Sequence, residues 1–375
     1  MLRVLVLFFS FSLVAKETIC LNMIVKNESP VIRRCLESIR PYIDYWVIVD
    51  TGSTDGTQKI IKNYLKDIPG ELYERPWKNF GFNRSEAFLF AQHKGDYILF
   101  IDADDTLQIE DQQCFSNLIE DLYTMWRGFV GFSSIHPQLV KGDLPWKFVG
   151  VTHEYLACDV PYTSAFLEGV KYVTGSGGHR SCGKEKFFAN IRLLEDGIKQ
   201  EPDNARYYFY LAESYRDAGE KGKALEWYQK RVAMGGWSEE VYWSMLQIGH
   251  CLRDLGLPKN VVTDSYLNAL MFRPSRIETF FYLAQLNNDS GDYQSAYTFL
   301  QMRDANLKSN DALFNLDWIG DYGLTFLRSI CSYYVGNYQE SLDACEELLN
   351  NPRLPESWRE QTLKNKQFPL DKLKQ

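Results

Sequence analysis

The sequence has no CxxC pair and no cysteine–histidine grouping at zinc spacing. Its eight cysteines, Cys20, Cys35, Cys114, Cys158, Cys182, Cys251, Cys331 and Cys345, are scattered along the chain. That excludes a zinc ribbon and a thioredoxin-type redox pair, and reduced, mostly buried thiols are expected instead. Clustered Lys and Arg are missing too, and the formal net charge is −8. A nucleic-acid backbone calls for a basic patch, so no nucleic-acid partner is expected. Long apolar runs are absent. The stretch Val4 to Ala15, after Met1-Leu2-Arg3, suits a signal-peptide core or a retained leader and is too short for an ordinary membrane span. Membrane association is therefore expected only through residues 1–15. Between a cytoplasmic and a membrane-associated location the sequence does not choose. Sequons at Asn27 and Asn83 fall inside the site described below, where glycans would block it, so a eukaryotic secretory lumen is disfavoured.

What remains is a globular composition, 45% hydrophobic and 24% charged, over 375 residues. That length exceeds one ordinary core, so two domains are expected. In the front half, apolar runs alternate with helical patterns. Strands are expected over 18–27, 45–50, 71–75 and 97–101, and helices from Ser29 or Pro30 to Ile39, over 57–65, and from Arg84 to His93. Alternation of this kind makes an α/β unit with a mainly parallel, Rossmann-like sheet, whose strand C-terminal ends line a ligand crevice. The polar clusters Asn27-Glu28, Asp50 to Asp55 and Asp102 to Asp105 fall at those ends.

After about residue 190 the pattern becomes helical. Gly219, Gly256, Gly291 and Gly336 recur at steps of about 37, 35 and 45 residues, with Ala224, Ala269, Ala296 and Ala344 at related places. Gly in the turn and a small residue where helices touch resemble the tetratricopeptide repeat. The longer last step predicts an insertion near 306–318. The division expected is a leader at 1–15, an α/β domain at 16–190, all-α repeats at 191–355 and a tail at 356–375.

The chemistry centres on Ile98-Leu-Phe-Ile-Asp102-Ala103-Asp104-Asp105. A buried strand delivers two carboxylates one residue apart, and alternate side chains of an extended chain point the same way. Hard oxygen ligands of this kind suit Mg²⁺ or Mn²⁺ bridging phosphates. Alone, the pair reads better as a solvated acidic turn. Its place after a strand, matched by acidic clusters on earlier strands, favours a site. Asp55, by contrast, reads as a helix cap.

Taken together, Ile24-Val-Lys-Asn-Glu28, Val47-Ile-Val-Asp50-Thr-Gly-Ser-Thr-Asp55-Gly-Thr57, Phe82-Asn-Arg84-Ser and Asp102-Ala-Asp104 resemble the family 2 glycosyltransferases of the GT-A fold. The likeness extends to the subgroup with tetratricopeptide repeats behind the transferase domain, in which Val149-Gly-Val-Thr-His153-Glu154 finds a counterpart. The resemblance implies a metal-dependent enzyme. It would move a sugar from a nucleotide-diphosphate sugar, for preference a UDP-sugar, to a protein, peptide or glycan acceptor docked on the repeats. Glu28 and Asp50 would hold the nucleoside and Arg84 the diphosphate. Asp102 would sit between ribose and metal. Asp104 would be the principal ligand of Mn²⁺ or Mg²⁺, with His153 a third. Glu154 or His153 would be the general base of an inverting reaction. The Gln-x-x-Arg-Trp motif of processive members is absent, which implies single-sugar transfer. His179, in a Gly-rich turn, is a lesser candidate for phosphate contact. Two other readings compete. One is a non-catalytic module whose repeats recruit a partner behind a degenerate transferase front. The other is a nucleotidyltransferase, which would need a Gly-rich phosphate loop where Asn27-Glu28-Ser29-Pro30 stands.

Overall fold

The computed structural model describes residues 17–129, 132–175, 177–178, 185–302 and 311–375. The leader at 1–15 and His179 lie outside the described residues, as does part of the expected insertion. The chain forms two compact units, 1–193 and 194–375. Among the described residues no helix is long and apolar enough to cross a membrane.

The first unit runs β1 (Ile19–Val25), α1 (Ile32–Ile39), β2 (Tyr45–Asp50), α2 (Thr57–Tyr64), β3 (Gly70–Glu74), α3 (Phe80–Ala91), β4 (Tyr97–Phe100) and β5 (Thr106–Ile109). It continues with β6 (Leu122–Phe129), β7 (Phe132–Lys141), β8 (Trp146–Val149), β9 (Tyr155–Cys158), β10 (Ser164–Val173) and the first half of α4 (Glu185–Gln200). Eight strands make one sheet in the order β3-β2-β1-β4-β7-β6-β10-β5, and β8 with β9 form a separate hairpin. The run β3-β2-β1-β4 is parallel throughout. Apolar residues face both ways from it, as a sheet covered on both sides requires. Leu21, Ile48 and Leu99 pack with Ile32, Leu36 and Ile61 of α1 and α2, whereas Cys20, Val47 and Ile98 pack with Phe88 and Ala91 of α3.

Two helices begin elsewhere than the sequence pattern predicts. α1 starts at Ile32 because the preceding amides are spent on the β2–α2 loop. Asn27 N donates to Ser53 Oγ (2.8 Å), Glu28 N to Thr57 Oγ1 (2.9 Å) and Ser29 N to Asp55 Oδ2 (2.9 Å). α3 starts at Phe80, before Arg84, because Asn79 Oδ1 accepts from Phe82 N (2.8 Å) as an N-cap. Its first amides donate to the β8–β9 turn, Phe80 N to Val151 O (3.0 Å) and Gly81 N to Gly150 O (3.1 Å).

The second unit is helical: α5 (Ala205–Ala218), α6 (Lys221–Met234), α7 (Ser238–Asp254), α8 (Lys259–Phe272), α9 (Ile277–Asp289), α10 (Tyr293–Met302), α11 (Leu324–Tyr334), α12 (Tyr338–Leu349) and α13 (Glu356–Leu373). Successive helices pack as tetratricopeptide-like pairs. Gly219, Gly256, Gly291 and Gly336 close the turn inside each pair at φ between +74° and +90°. An added Cβ would meet nothing there, so the backbone conformation alone asks for glycine. Gly249 has the other reason, since its Cβ would lie 2.3 Å from the Tyr266 ring. The described part of the insertion is pinned by Arg276, whose guanidinium reaches Glu278 (2.8 Å), Asp311 (3.0 Å), Leu313 O (3.0 Å) and Phe314 O (2.9 Å). The stretch read as a tail at 356–375 is helix α13, which buries Thr362 and Pro369.

Candidate active site

The parallel strands β1, β2 and β4 end along one edge of the sheet, and a cavity of about 420 Å³ opens there. Glu28, Arg84, Asp102 and Asp104 line it together with Lys26, Thr51, Gly178 and Ala189. Trp77 and Phe80 form one wall, ring edge to face at 4.8 Å.

Asp50 lies at the end of the neighbouring strand and lines a second cavity of about 300 Å³ with Gly52, Ser53, Gln58, Glu74, Arg75 and Pro76. Asp50 is 1% exposed. Its Oδ1 accepts from the amides of Gly52 (2.8 Å) and Ser53 (2.7 Å), while Oδ2 is buried with no hydrogen-bond partner. A buried acceptor left without a donor costs free energy unless something bound supplies one. Asp55, expected as a helix cap, stands one residue before the α2 N-cap, Gly56. Its Oδ1 accepts from Thr57 N (3.1 Å) and Thr57 Oγ1 (2.6 Å) at the start of α2. Burial would raise its pKa, but these bonds and those from Ser29 outweigh burial and hold it well below the usual carboxylate range.

Asp102 sits in a chain of half-buried charge. Arg84 of α3 bonds its Oδ1, and Arg127 of β6 bonds its Oδ2 at 3.0 Å. Arg84 also pairs through Nε with Glu154 at 2.6 Å, and Arg127 reaches Asp105 at 3.4 Å. Burial raises the Asp102 pKa, yet the two guanidiniums overcome it and keep the carboxyl below its ordinary value. Asp105 goes the other way. Burial, then the Asp102 charge, push it up to about 6. Tyr172 of β10 lies under the Arg127 guanidinium at 4.8 Å and accepts from Asp102 N through its hydroxyl (3.0 Å). Arg127 and Tyr172 were not singled out from the sequence. An arginine alone in the apolar strand LYTMWRGF was the available signal, since a buried cation calls for buried carboxylates.

The Asp104 backbone is clamped, with Arg34 donating to its carbonyl (2.7 Å) and Gly175 so close that a Cβ would fall 1.8 Å from that oxygen. Gly178 lies against the carboxylate in the same way, its Cβ position 2.5 Å from Oδ2. His153 and Glu154 do not line the cavity. The sequence predicts an extended segment returning to the crevice. Instead, 150–153 is the tight turn between β8 and β9, with Gly150 at φ +116° and His153 at φ +51°. The turn aims Glu154 inward onto Arg84 and leaves His153 exposed, its Nε2 3.5 Å from Asn190 Nδ2. Among the described residues no three His, Cys, Asp or Glu side chains gather as for a metal ion. The expected set Asp102, Asp104 and His153 is thus not assembled in the structure. Asp102 is already engaged by two arginines, and Asp104 and Glu28 are the other carboxylates among the described residues of the lining.

Parallel strands whose C-terminal ends carry acidic residues around a cavity define an α/β domain with a ligand crevice at its strand ends. The family model for glycosyl transferase family 2 matches residues 20–142. An uncharacterized glycosyltransferase from Rickettsia felis is 30% identical over 234 residues, which cover 59% of this chain and 77% of that protein. The chain belongs to glycosyltransferase family 2. The prophage-derived glycosyltransferase SunS of Bacillus subtilis is 25% identical over 232 residues, 57% of this chain and 53% of SunS. The chain thus spans about half the length of the curated relatives it matches first. A tetratricopeptide repeat protein from Parabacteroides merdae is similar in structure with a TM-score of 0.38 at 16% identity, covering 49% of this chain and 68% of that one.

Proposed function

We propose that the protein transfers single sugar units from a uridine-diphosphate sugar to a hydroxyl or thiol of a protein, peptide or glycan, with inversion at the anomeric carbon. The observation that carries this reading is the convergence of Glu28, Arg84, Asp102 and Asp104 on one cavity, beside a buried Asp50 oxygen that lacks a donor. In this reading Asp50 and Glu28 accept from the base N–H and the ribose hydroxyls, the groups a carboxylate can receive. Asp104 presents its carboxylate to Mn²⁺ or Mg²⁺. Such ions are commonly held by one or two carboxylates plus substrate phosphates, so a cavity without a three-ligand protein cage fits them. The bound ion would offset charge on the departing diphosphate. Glu154 is tied to Arg84, so the acceptor proton passes to His153, the exposed imidazole on the turn beside it. The repeats would dock the acceptor.

The test is calorimetry and turnover with UDP-sugars and Mn²⁺. Asp104→Ala is expected to abolish turnover, by at least about 10³-fold, with an unchanged melting curve. Turnover by Asp104→Ala with the metal chelated would refute the mechanism. A wild-type chain that binds no nucleotide sugar would favour a repeat-based binding protein. The anomeric configuration of the product, read by NMR, tests inversion.

A further inference from the structure

Among the described residues the arginines around the cavity are already paired. Arg84 and Arg127 are enclosed by Asp102, Asp105 and Glu154, so that cluster has no surplus cation. Glu28 and Asp104 also line the cavity. Of the two cations that line it among the described residues, Arg84 is held by two acids. Lys26 is exposed and has no carboxylate within ion-pair distance among the described residues.

Lys26 is also well placed. It follows the last residue of β1, on the strand edge where Asp102 and Asp104 emerge. Immediately after it the chain turns through Asn27 at φ +56°. That turn is stitched to the β2–α2 loop by Asn27 N to Ser53 Oγ (2.8 Å) and Thr54 N to Asn27 Oδ1 (2.8 Å). The backbone under Lys26 is therefore fixed, while its four-carbon stem leaves the ammonium free to follow a phosphate as a point charge.

We infer that Lys26 is the residue that receives the diphosphate of a bound nucleotide, and that Arg84 is a positioning residue holding Asp102 and Glu154 in place. The assignment rests on the transferase reading and gives a role to the one cation of the Ile24-Val-Lys-Asn-Glu28 stretch. The phosphate contribution of Lys26 belongs to the diphosphate alone, so it must be separable from recognition of the nucleoside.

The experiment is calorimetry on the full chain with MnCl₂, using UDP against uridine and, in parallel, GDP against guanosine. Lys26→Ala is expected to weaken the diphosphate that binds wild type by tenfold or more, and to leave its nucleoside within twofold. Lys26→Arg is expected to restore most of the loss. Unchanged diphosphate affinity in Lys26→Ala, or an equal loss for nucleoside and diphosphate, overturns the assignment while the transferase reading stands. A wild-type chain that binds neither diphosphate removes that reading, and the role of Lys26 with it.

Discussion

Asp102 and Asp105 stand three residues apart and are driven in opposite directions by one cluster. Arg84 and Arg127 overcome burial at Asp102, whereas burial and the Asp102 charge raise Asp105 to about 6. The consequence for stability has a definite sign. Below about pH 4 Asp105 is neutral in both folded and unfolded states. Between about pH 4 and its native pKa near 6, the native state holds a proton that the unfolded state has lost. Stability therefore falls as pH rises through that window. Asp105→Asn keeps an oxygen for the Gly175 amide, which now donates to Oδ1 at 2.8 Å, and removes the titration. Relative to wild type, the variant should gain on the order of 1–3 kcal/mol between pH 4 and pH 7. Urea unfolding at both pH values measures it, and parallel wild-type and variant profiles would contradict the argument. Asp102 offers the opposite case, since its pairing contributes stability above the unfolded carboxylate pKa and loses it as pH falls through the lowered native value.

At the scale of elements, the β8–β9 hairpin and α3 act as one clamp. Gly81 lets the helix start touch the turn, and a Cβ there would lie 2.2 Å from Gly150 O, a backbone atom with little room to move. Gly81→Ala must push α3 off the turn, and Arg84, on the same helix, then draws away from Glu154. A loss of about 1–3 kcal/mol is expected, together with weaker nucleotide binding. An Ala variant with wild-type stability and binding would show that the contact is slack. In the second unit Gly249 packs on the Tyr266 ring, whose hydroxyl is bonded to His250 Nδ1 at 2.6 Å. Gly249→Ala should therefore cost about 1–3 kcal/mol, because the ring cannot swing away without breaking that bond. Thermal unfolding of the variant decides whether it does.

At the scale of the whole molecule, each unit carries its own core, and in the second a single half-buried histidine responds to mild acid. His250 lies against Tyr282 at 4.3 Å, and burial, then the Arg253 charge, bring its pKa down to about 3. The unfolded chain protonates this imidazole near 6.5. The native neutral form is thus fully favoured above that value, and stability is lost as pH falls from about 6.5 toward 3. His250→Phe should shrink the difference in unfolding free energy between pH 7 and pH 5 by roughly 1–2 kcal/mol. An unchanged difference would place the acid sensitivity elsewhere.

Order and type of element were legible over residues 18–101 and in the helical half, because period, turn glycines and strand-end acids are local signals. The four parallel strands and the repeat glycines follow from them, whereas the six strands β5 to β10 between Thr106 and Val173 were not read, since their pairing joins distant segments. Helix starts were less legible. α1 and α3 begin where distant partners, Ser53, Thr57 and the Gly150 turn, take or supply hydrogen bonds. The sequence by itself determined which carboxylates stand just past the strand ends, although Asp102 to Asp105 close a turn, Asp105 N donating to Asp102 O (3.1 Å), where an extended two-residue period was expected. Only the tertiary structure decided which of them are already spent. Arg127 arrives from β6 and Glu154 from a hairpin far along the chain, and long-range charge pairing of this kind leaves no periodic trace in a sequence.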